Sequence, residues 1–313
     1  MQKLSYIIVC LALPFAMMTM GGQEAHAQDF LGGFNPNAGK NSSASQTSKP
    51  KAGNRKNVKA VSLPDKPNKV DAQGRKQGEW AAKYPNGRYK YAATFRDGRP
   101  VGKVTRYDET GMKYMTLTYT KSDTVKATTY HRNRKISAKG QYLNEKREGY
   151  WRFYREDGTL IETASYSGGK LHGKRCLYFN NGNLMSVCTW VDSLREGPYV
   201  KYFISGAKEI TATFSGDELN GTYTSWGADG KITSQGEYRN GVTVGKWHMR
   251  YPEANVEGDI IYDSHGIIIN RAAADSLEMR RQQYYDKNKG KIKDPQDYMN
   301  NPEMYMSGSP QLY

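Results

Sequence analysis

Histidine and cysteine are both scarce, at five and three residues in 313. His131, His172, His248 and His265 are scattered, with no pair at metal-ligand spacing, and there is no Cys-x-x-Cys. A Gly-x-Ser-x-Gly elbow and a His-Glu-x-x-His helix are also missing. Gly168-Gly169 with Gly173-Lys174 is not a phosphate loop, because the glycines belong to a repeat and no helical pattern follows. No catalytic residue, cofactor or metal is therefore expected, and the chain reads as non-enzymatic. Acidic residues are also in deficit: 31 Asp and Glu face 46 Lys and Arg, a net charge of +15. Such an excess favours anionic partners, whether lipid headgroups, acidic glycans, nucleic acid or an acidic protein. Beyond residue 20 no run is long and apolar enough to cross a bilayer as a helix.

What the chain has instead is a period. Gly149, Gly173, Gly197, Gly221 and Gly245 stand 24 residues apart. Gly158, Gly182, Gly206 and Gly230 keep the same step, and so do Tyr142, Tyr166, Trp190, Phe214, Tyr238 and Tyr262. Three series locked to one interval define an internal repeat. Gly78 with Gly102, and Gly87 with Gly111, carry it upstream. One unit between Lys126 and Glu148 has lost a residue and its glycines, which gives a reading of seven units over 78–262.

Each unit holds two runs of aromatic and β-branched residues separated by a polar turn that ends in glycine. That pattern predicts a β-hairpin. Asn86-Gly87, Asp157-Gly158, Asn181-Gly182 and Asn240-Gly241 supply the turns. Alternation places Tyr154, Tyr178, Tyr202 and Trp226 in one row and Trp80, Trp151, Tyr199, Tyr223 and Trp247 on the opposite parity. Both faces thus carry aromatics. The expected fold is all-β: an elongated antiparallel meander of hairpins followed by a short C-terminal helix. Fourteen strands at the usual spacing would span roughly 65 Å.

The pattern Gly-x-Trp/Tyr-x-x-Tyr-x-x-x-Gly-x-Leu/Ile, with a Tyr before the next glycine turn, resembles MORN-type repeats. It is most similar to the bacterial variant known as the YwqK-family antitoxin. The resemblance covers roughly 78–262 and implies a hairpin-repeat fold. It also implies membrane association, and the antitoxin label implies a toxin-neutralising role.

The flanks read differently. Residues 1–27 have a Lys3 start, an apolar core from Ile7 to Met20 and an Ala25-His26-Ala27 site, the build of a secretory signal cleaved after Ala27. Residues 28–77 are rich in Gly, Asn, Ser, Lys and Pro and read as a flexible basic linker. Residues 78–265 form the repeat domain, and 266–313 a C-terminal helix and tail. The helix is expected over Ala272 to Asp286, with Ile267 to Ile269 closing the last strand. The mature chain is expected to be periplasmic, surface-associated or secreted.

Two features are singled out as candidate sites. Cys176 and Cys188 share one unit and face each other if the hairpin folds about Gly182, which permits a disulfide in an oxidising compartment. Trp80, Trp151, Tyr199, Tyr223 and Trp247, interleaved with Lys and Arg, form a candidate binding surface, joined by the basic spot Arg132, Arg134 and Lys135. The competing reading is that these aromatics pack between hairpins. The function expected is an exported scaffold binding an envelope protein. Anionic lipid or polysaccharide is the alternative partner, and nucleic acid is disfavoured.

Overall fold

The computed structural model describes residues 67–289, all within the unit Leu63–Tyr313. The expected signal and its cleavage after Ala27, the linker up to residue 66 and the tail beyond 289 lie outside the described residues.

The described chain is an antiparallel meander of eighteen strands ending in one helix. A short β1 (Lys69–Val70) precedes β2 (Lys76–Lys83), β3 (Tyr89–Arg96), β4 (Arg99–Tyr107), β5 (Lys113–Tyr119), β6 (Val125–Tyr130), β7 (Ile136–Leu143), β8 (Lys146–Tyr154) and β9 (Leu160–Ser167). Then come β10 (Lys170–Tyr178), β11 (Leu184–Val191), β12 (Leu194–Tyr202), β13 (Lys208–Ser215), β14 (Glu218–Leu219), β15 (Gly221–Trp226), β16 (Ile232–Arg239), β17 (Val242–Tyr251) and β18 (Val256–Tyr262). Helix α1 covers Arg271–Lys287. Two features of the sequence reading need correction. β1 and the start of β2 lie in the stretch expected to be linker. The hairpins number eight, not seven, because Gly245 opens a complete unit of its own, β17 with β18.

Two kinds of turn alternate. Within a unit, a five-residue turn closes with two backbone bonds: Gly87 N–H donates to the Tyr84 carbonyl at 2.9 Å, and Tyr84 N–H to that of Arg88 at 2.8 Å. The Asn86 amide oxygen accepts from Arg88 N–H at 3.0 Å, and Asn133, Asp157, Asn181 and Asp229 do the same in their turns. Between most units the turn has two residues, both at positive φ, as in Asp97 (+52°) and Gly98 (+77°) or Gly168 (+57°) and Gly169 (+91°). These are type I′ turns, whose twist matches the strands they join.

The leading glycine of each unit has its own task. Gly78, Gly149, Gly197 and Gly245 take φ from +64° to +77°, a region other residues enter at a cost. The pairing register shifts beside such glycines, for instance between Ala92 and Thr94 and between Lys139 and Gln141. The chain bulges there. The bulge leaves the carbonyl two residues upstream free to accept from the next turn: Gly98 N–H reaches Lys76, Gly169 reaches Arg147, and Gly241 reaches Leu219, at 2.8–3.0 Å. The degenerate unit lacks this device. Its entry is the loop Thr120–Thr124, and β5 pairs with β6 without a register shift.

Both ends of the sheet are closed by an asparagine. Asn68 Oδ1 accepts from Ala81 N–H at 2.8 Å while its Nδ2 donates to the Ala81 carbonyl at 3.1 Å. Asn270 Oδ1 accepts from Ile261 N–H at 2.7 Å while its Nδ2 donates to the Asp259 carbonyl at 2.9 Å. Each carboxamide occupies backbone groups that an added strand would otherwise use. Ile269 N–H also donates to the Ile261 carbonyl at 2.7 Å, so the Ile267–Ile269 stretch does extend the last strand pairing. Helix α1 packs on β18 through Leu277, which is 2 % exposed and seated over Gly258.

Candidate binding surface

Residues directly opposite in the register share a face, which sorts the whole sheet into two. On one face Trp80 stands opposite Ala93, Trp151 opposite Ala164, Cys188 opposite Tyr199, and Tyr199 opposite Ala212. Phe95, Tyr166, Phe214 and Tyr238 lie on the same face, each opposite the leading glycine of its own unit. Large and small side chains therefore alternate from strand to strand. The large ones lie across the small ones, and the face covers itself.

The extreme case is tryptophan over glycine. Trp151 lies over Gly140 of the preceding unit, and Trp247 lies over Gly236; a Cβ built on either glycine overlaps the indole. Trp151 is 1 % exposed and Trp247 4 %. Their Nε1–H groups donate to the Gln141 and Glu237 carbonyls at 3.1 and 3.2 Å. Tyr142 and Tyr238 meet these indoles edge-on at 5.1 and 4.9 Å. Trp80, Tyr199 and Tyr223 are half-buried against Phe95, Phe214 and Tyr238 in the same geometry. Cations close the rows: the Arg147 guanidinium sits 5.2–5.4 Å from the rings of Trp151, Phe153 and Tyr166. Burial pushes the phenols of Tyr199 and Tyr238 up to about 12. The aromatics expected to form the binding surface thus pack the sheet. That part of the expectation is corrected: Trp151 and Trp247 are not available to a partner.

The disulfide that the sequence permits is not formed. The β10–β11 register places Cys188 opposite Arg175 and Cys176 opposite Val187. The irregularity between Leu177 and Tyr178 offsets the register by one residue from the simple fold about Gly182. The two side chains therefore leave opposite faces of the sheet. Both thiols are free, and burial pushes that of Cys188 up.

The other face differs. Tyr107, Tyr130, Tyr154, Tyr178, Tyr202 and Trp226 recur on it at the ends of alternate strands, confirming the row read from the sequence. Beside that row lie hydroxyls: Thr105 opposite Thr116, Thr116 opposite Thr128. Cations follow: Lys103 opposite Thr118, Thr118 opposite Lys126, Lys139 opposite Arg152. Lys103, Lys126, Lys139, Arg152 and Lys174 are all exposed. None of the five is in an ion pair among the described residues. Within strands β4 to β10 the carboxylate on this face is Glu148, whose Oε2 is occupied by Gly168 N–H at 2.9 Å. Glu162, also in that span, is on the packed face, bonded to Arg175 at 2.9 Å. Lys103, Lys126 and Lys174 each follow the leading position of their unit, but Lys139 and Arg152 stand at other offsets, and only the strand pairing brings the five onto one face.

Arg132, Arg134 and Lys135 form the tip of the hairpin joining β6 to β7 and are exposed. Lys135 Nζ donates to the Asp157 carbonyl at 2.7 Å, and Asn133 Nδ2 to that of Glu156 at 2.6 Å, tying the tip to the next unit. Arg134 has φ +69° where the equivalent turns carry Gly87, Gly111, Gly158 and Gly182. The tip adjoins the strands that bear Lys126 and Lys139.

A family model described as a MORN repeat variant matches residues 147–167, 171–192 and 219–240. The matched segments lie on β8–β9, β10–β11 and β14–β16, which therefore carry MORN-type repeats, and the hairpins between and beside them repeat the same geometry. The match is to the repeat and not to an antitoxin family. No curated protein matches the chain. Among solved structures, a mutant of TarM from S. aureus, in complex with fondaparinux, alpha-GlcNAc-glycerol and UDP, is 10% identical over 38% of this chain and 21% of its own, with a TM-score of 0.25. The TcdB2-TccC3-Cdc42 structure is 11% identical over 64% of this chain and 14% of its own, with a TM-score of 0.19. The chain thus spans about a fifth of TarM's length, and at these scores neither structure bears on what it does.

Proposed function

We propose that the chain is an exported, non-catalytic scaffold that lays a partner along the basic face of its sheet. MORN-type repeats supply a binding role of this general kind. The observation that carries the reading is the contrast between faces: one packs its aromatics against its own small residues, and the other presents Lys103, Lys126, Lys139, Arg152 and Lys174 exposed. Repeated hairpins multiply weak contacts along one line, so affinity comes from avidity rather than a pocket. The leader-like stretch ahead of Ala27 supports export to the envelope, where an anionic partner is met outside the cytoplasm.

Site-specific photo-cross-linking in the native envelope tests this. Probes at Lys126 and Arg152 should capture a partner, and probes at Tyr199 and Tyr223 should not. Capture from the packed face alone, or a chain retained in the cytoplasm, would overturn the proposal.

A further inference from the structure

The chemistry of the basic face narrows the partner. We infer that it is a linear acidic polysaccharide, its carboxylate or sulfate groups paired with Lys103, Lys126, Lys139, Arg152 and Lys174 and its sugar hydroxyls bonded to the half-buried threonines Thr105, Thr118 and Thr128. The inference rests on the scaffold reading above.

Three observations point this way. First, the cations lack counter-charges. Five exposed basic side chains sit on a face whose one carboxylate within β4 to β10 is already bonded to Gly168 N–H. Charge complementarity then calls for an anion supplied by the partner. The five lie on β4, β6, β7, β8 and β10, with Lys103 and Lys126 in one cross-strand row and Lys139 and Arg152 in the next, so the anion has to be repeated across the strands. Equivalent strands of successive hairpins lie about 9.6 Å apart, twice the interstrand spacing. A polymer with a regular charge repeat satisfies this arrangement, and a small anion does not.

Second, the aromatic rings on this face are occupied. Lys113 Nζ sits 3.8 Å from the centre of the Tyr130 ring, and the Arg152 guanidinium 4.9 Å from that of Tyr150. Tyr107, Tyr154 and Tyr178 are half-buried in their row. Single-stranded nucleic acid is held by bases stacked on free aromatic faces, and few are free here. Phenol and threonine hydroxyls suit a hydroxylated polymer.

Third, large exposed aliphatic side chains lie elsewhere. Val191, Leu194, Ile204, Ile267 and Ile269 are all outside β4–β10. Surface-bound membrane proteins insert apolar side chains between headgroups, and the large exposed one in this stretch is Tyr150, whose ring already lies against the Arg152 guanidinium.

Calorimetric titration of the full mature chain with heparin oligosaccharides and with polygalacturonate, at low and high salt, tests the inference. Binding to at least one of them is expected, weakening as salt rises. The double variant Lys139→Glu/Arg152→Glu should lose roughly tenfold in affinity. The charge-matched control Lys208→Glu/Lys231→Glu, on exposed positions outside the cluster, should bind as the parent does. Circular dichroism and melting confirm that both variants fold. Equal losses in the two variants would reduce the effect to net charge and overturn the inference. So would tighter binding to an oligonucleotide of matched charge, or binding to phosphatidylserine vesicles with neither glycan bound. Face-specific cross-links in the envelope without glycan binding would leave the scaffold standing and remove the glycan.

Discussion

The indole of Trp151 lies across Gly140 of the preceding hairpin, and its Nε1–H donates to the neighbouring Gln141 carbonyl at 3.1 Å. Four periods later Trp247 and Gly236 repeat the contact, with the Glu237 carbonyl at 3.2 Å. A single-layer sheet can exclude water from one face only if its side chains lie flat, and flat indoles need positions without a Cβ. Gly140→Ala and Gly236→Ala should each therefore lift an indole and destabilise the sheet by about 1–3 kcal/mol, the usual cost of overpacking. Denaturant unfolding measures this. Ala164→Gly, beneath the same Trp151 from the other side, adds room and should not lift the ring.

Arg134 stands at +69° in a turn whose counterparts hold glycine. Left-handed backbone costs a non-glycine residue about 1–2 kcal/mol. Arg134→Gly should relieve that strain and stabilise the protein by about 1 kcal/mol, less the entropy glycine adds to the unfolded chain. If Arg134 also contributes to an anion-binding edge, the same variant weakens partner binding while raising the melting temperature. The opposite signs separate strain from simple damage.

The two sheet cysteines should titrate as free thiols under non-reducing conditions, with no mass loss of a disulfide. Cys176 should react faster with an alkylating reagent than Cys188, which is buried and whose thiol is pushed up in pKa. The measurement is a time course of thiol labelling by mass spectrometry.

Alkaline pH should loosen the packed face. Tyr199 and Tyr238 are held at about 12 by burial, against an ordinary 10.0. A raised folded-state value means that the fold keeps its phenols neutral. Stability is then fully present below pH 10 and declines as pH rises from 10 towards 12, because ionisation is easier in the unfolded chain. Melting temperature followed across that window should fall. Tyr199→Phe, which keeps the ring and removes the ionisable group, should fall less.

Much of this fold is legible in the sequence. The glycine and aromatic series locate the hairpins, both kinds of turn and the row of Tyr154, Tyr178, Tyr202 and Trp226, because turns and alternation are local. The cross-unit contacts are not local. Gly140 belongs to neither glycine series, and its meaning appears only when the bulge at Gly149 sets the register that brings Trp151 over it. A signal was present: Gly140 and Gly236 stand four periods apart, as do Trp151 and Trp247. The cysteine register failed for the same reason, since one irregular residue near the hairpin end reverses a face. The basic face was hidden because Lys139 and Arg152 stand at offsets unlike that shared by Lys103 and Lys126, and the four meet only through pairing.

Lysine footprinting tests the central division between faces most directly. Acetylation of the free protein, read by mass spectrometry, should label Lys103, Lys126, Lys139 and Lys174 readily and Lys201, bonded to Glu209 at 2.6 Å, slowly. Adding envelope polysaccharide should protect the first four and leave exposed Lys208 and Lys231 unchanged. Protection that falls on Lys208 and Lys231, or that spares the four, would contradict the account.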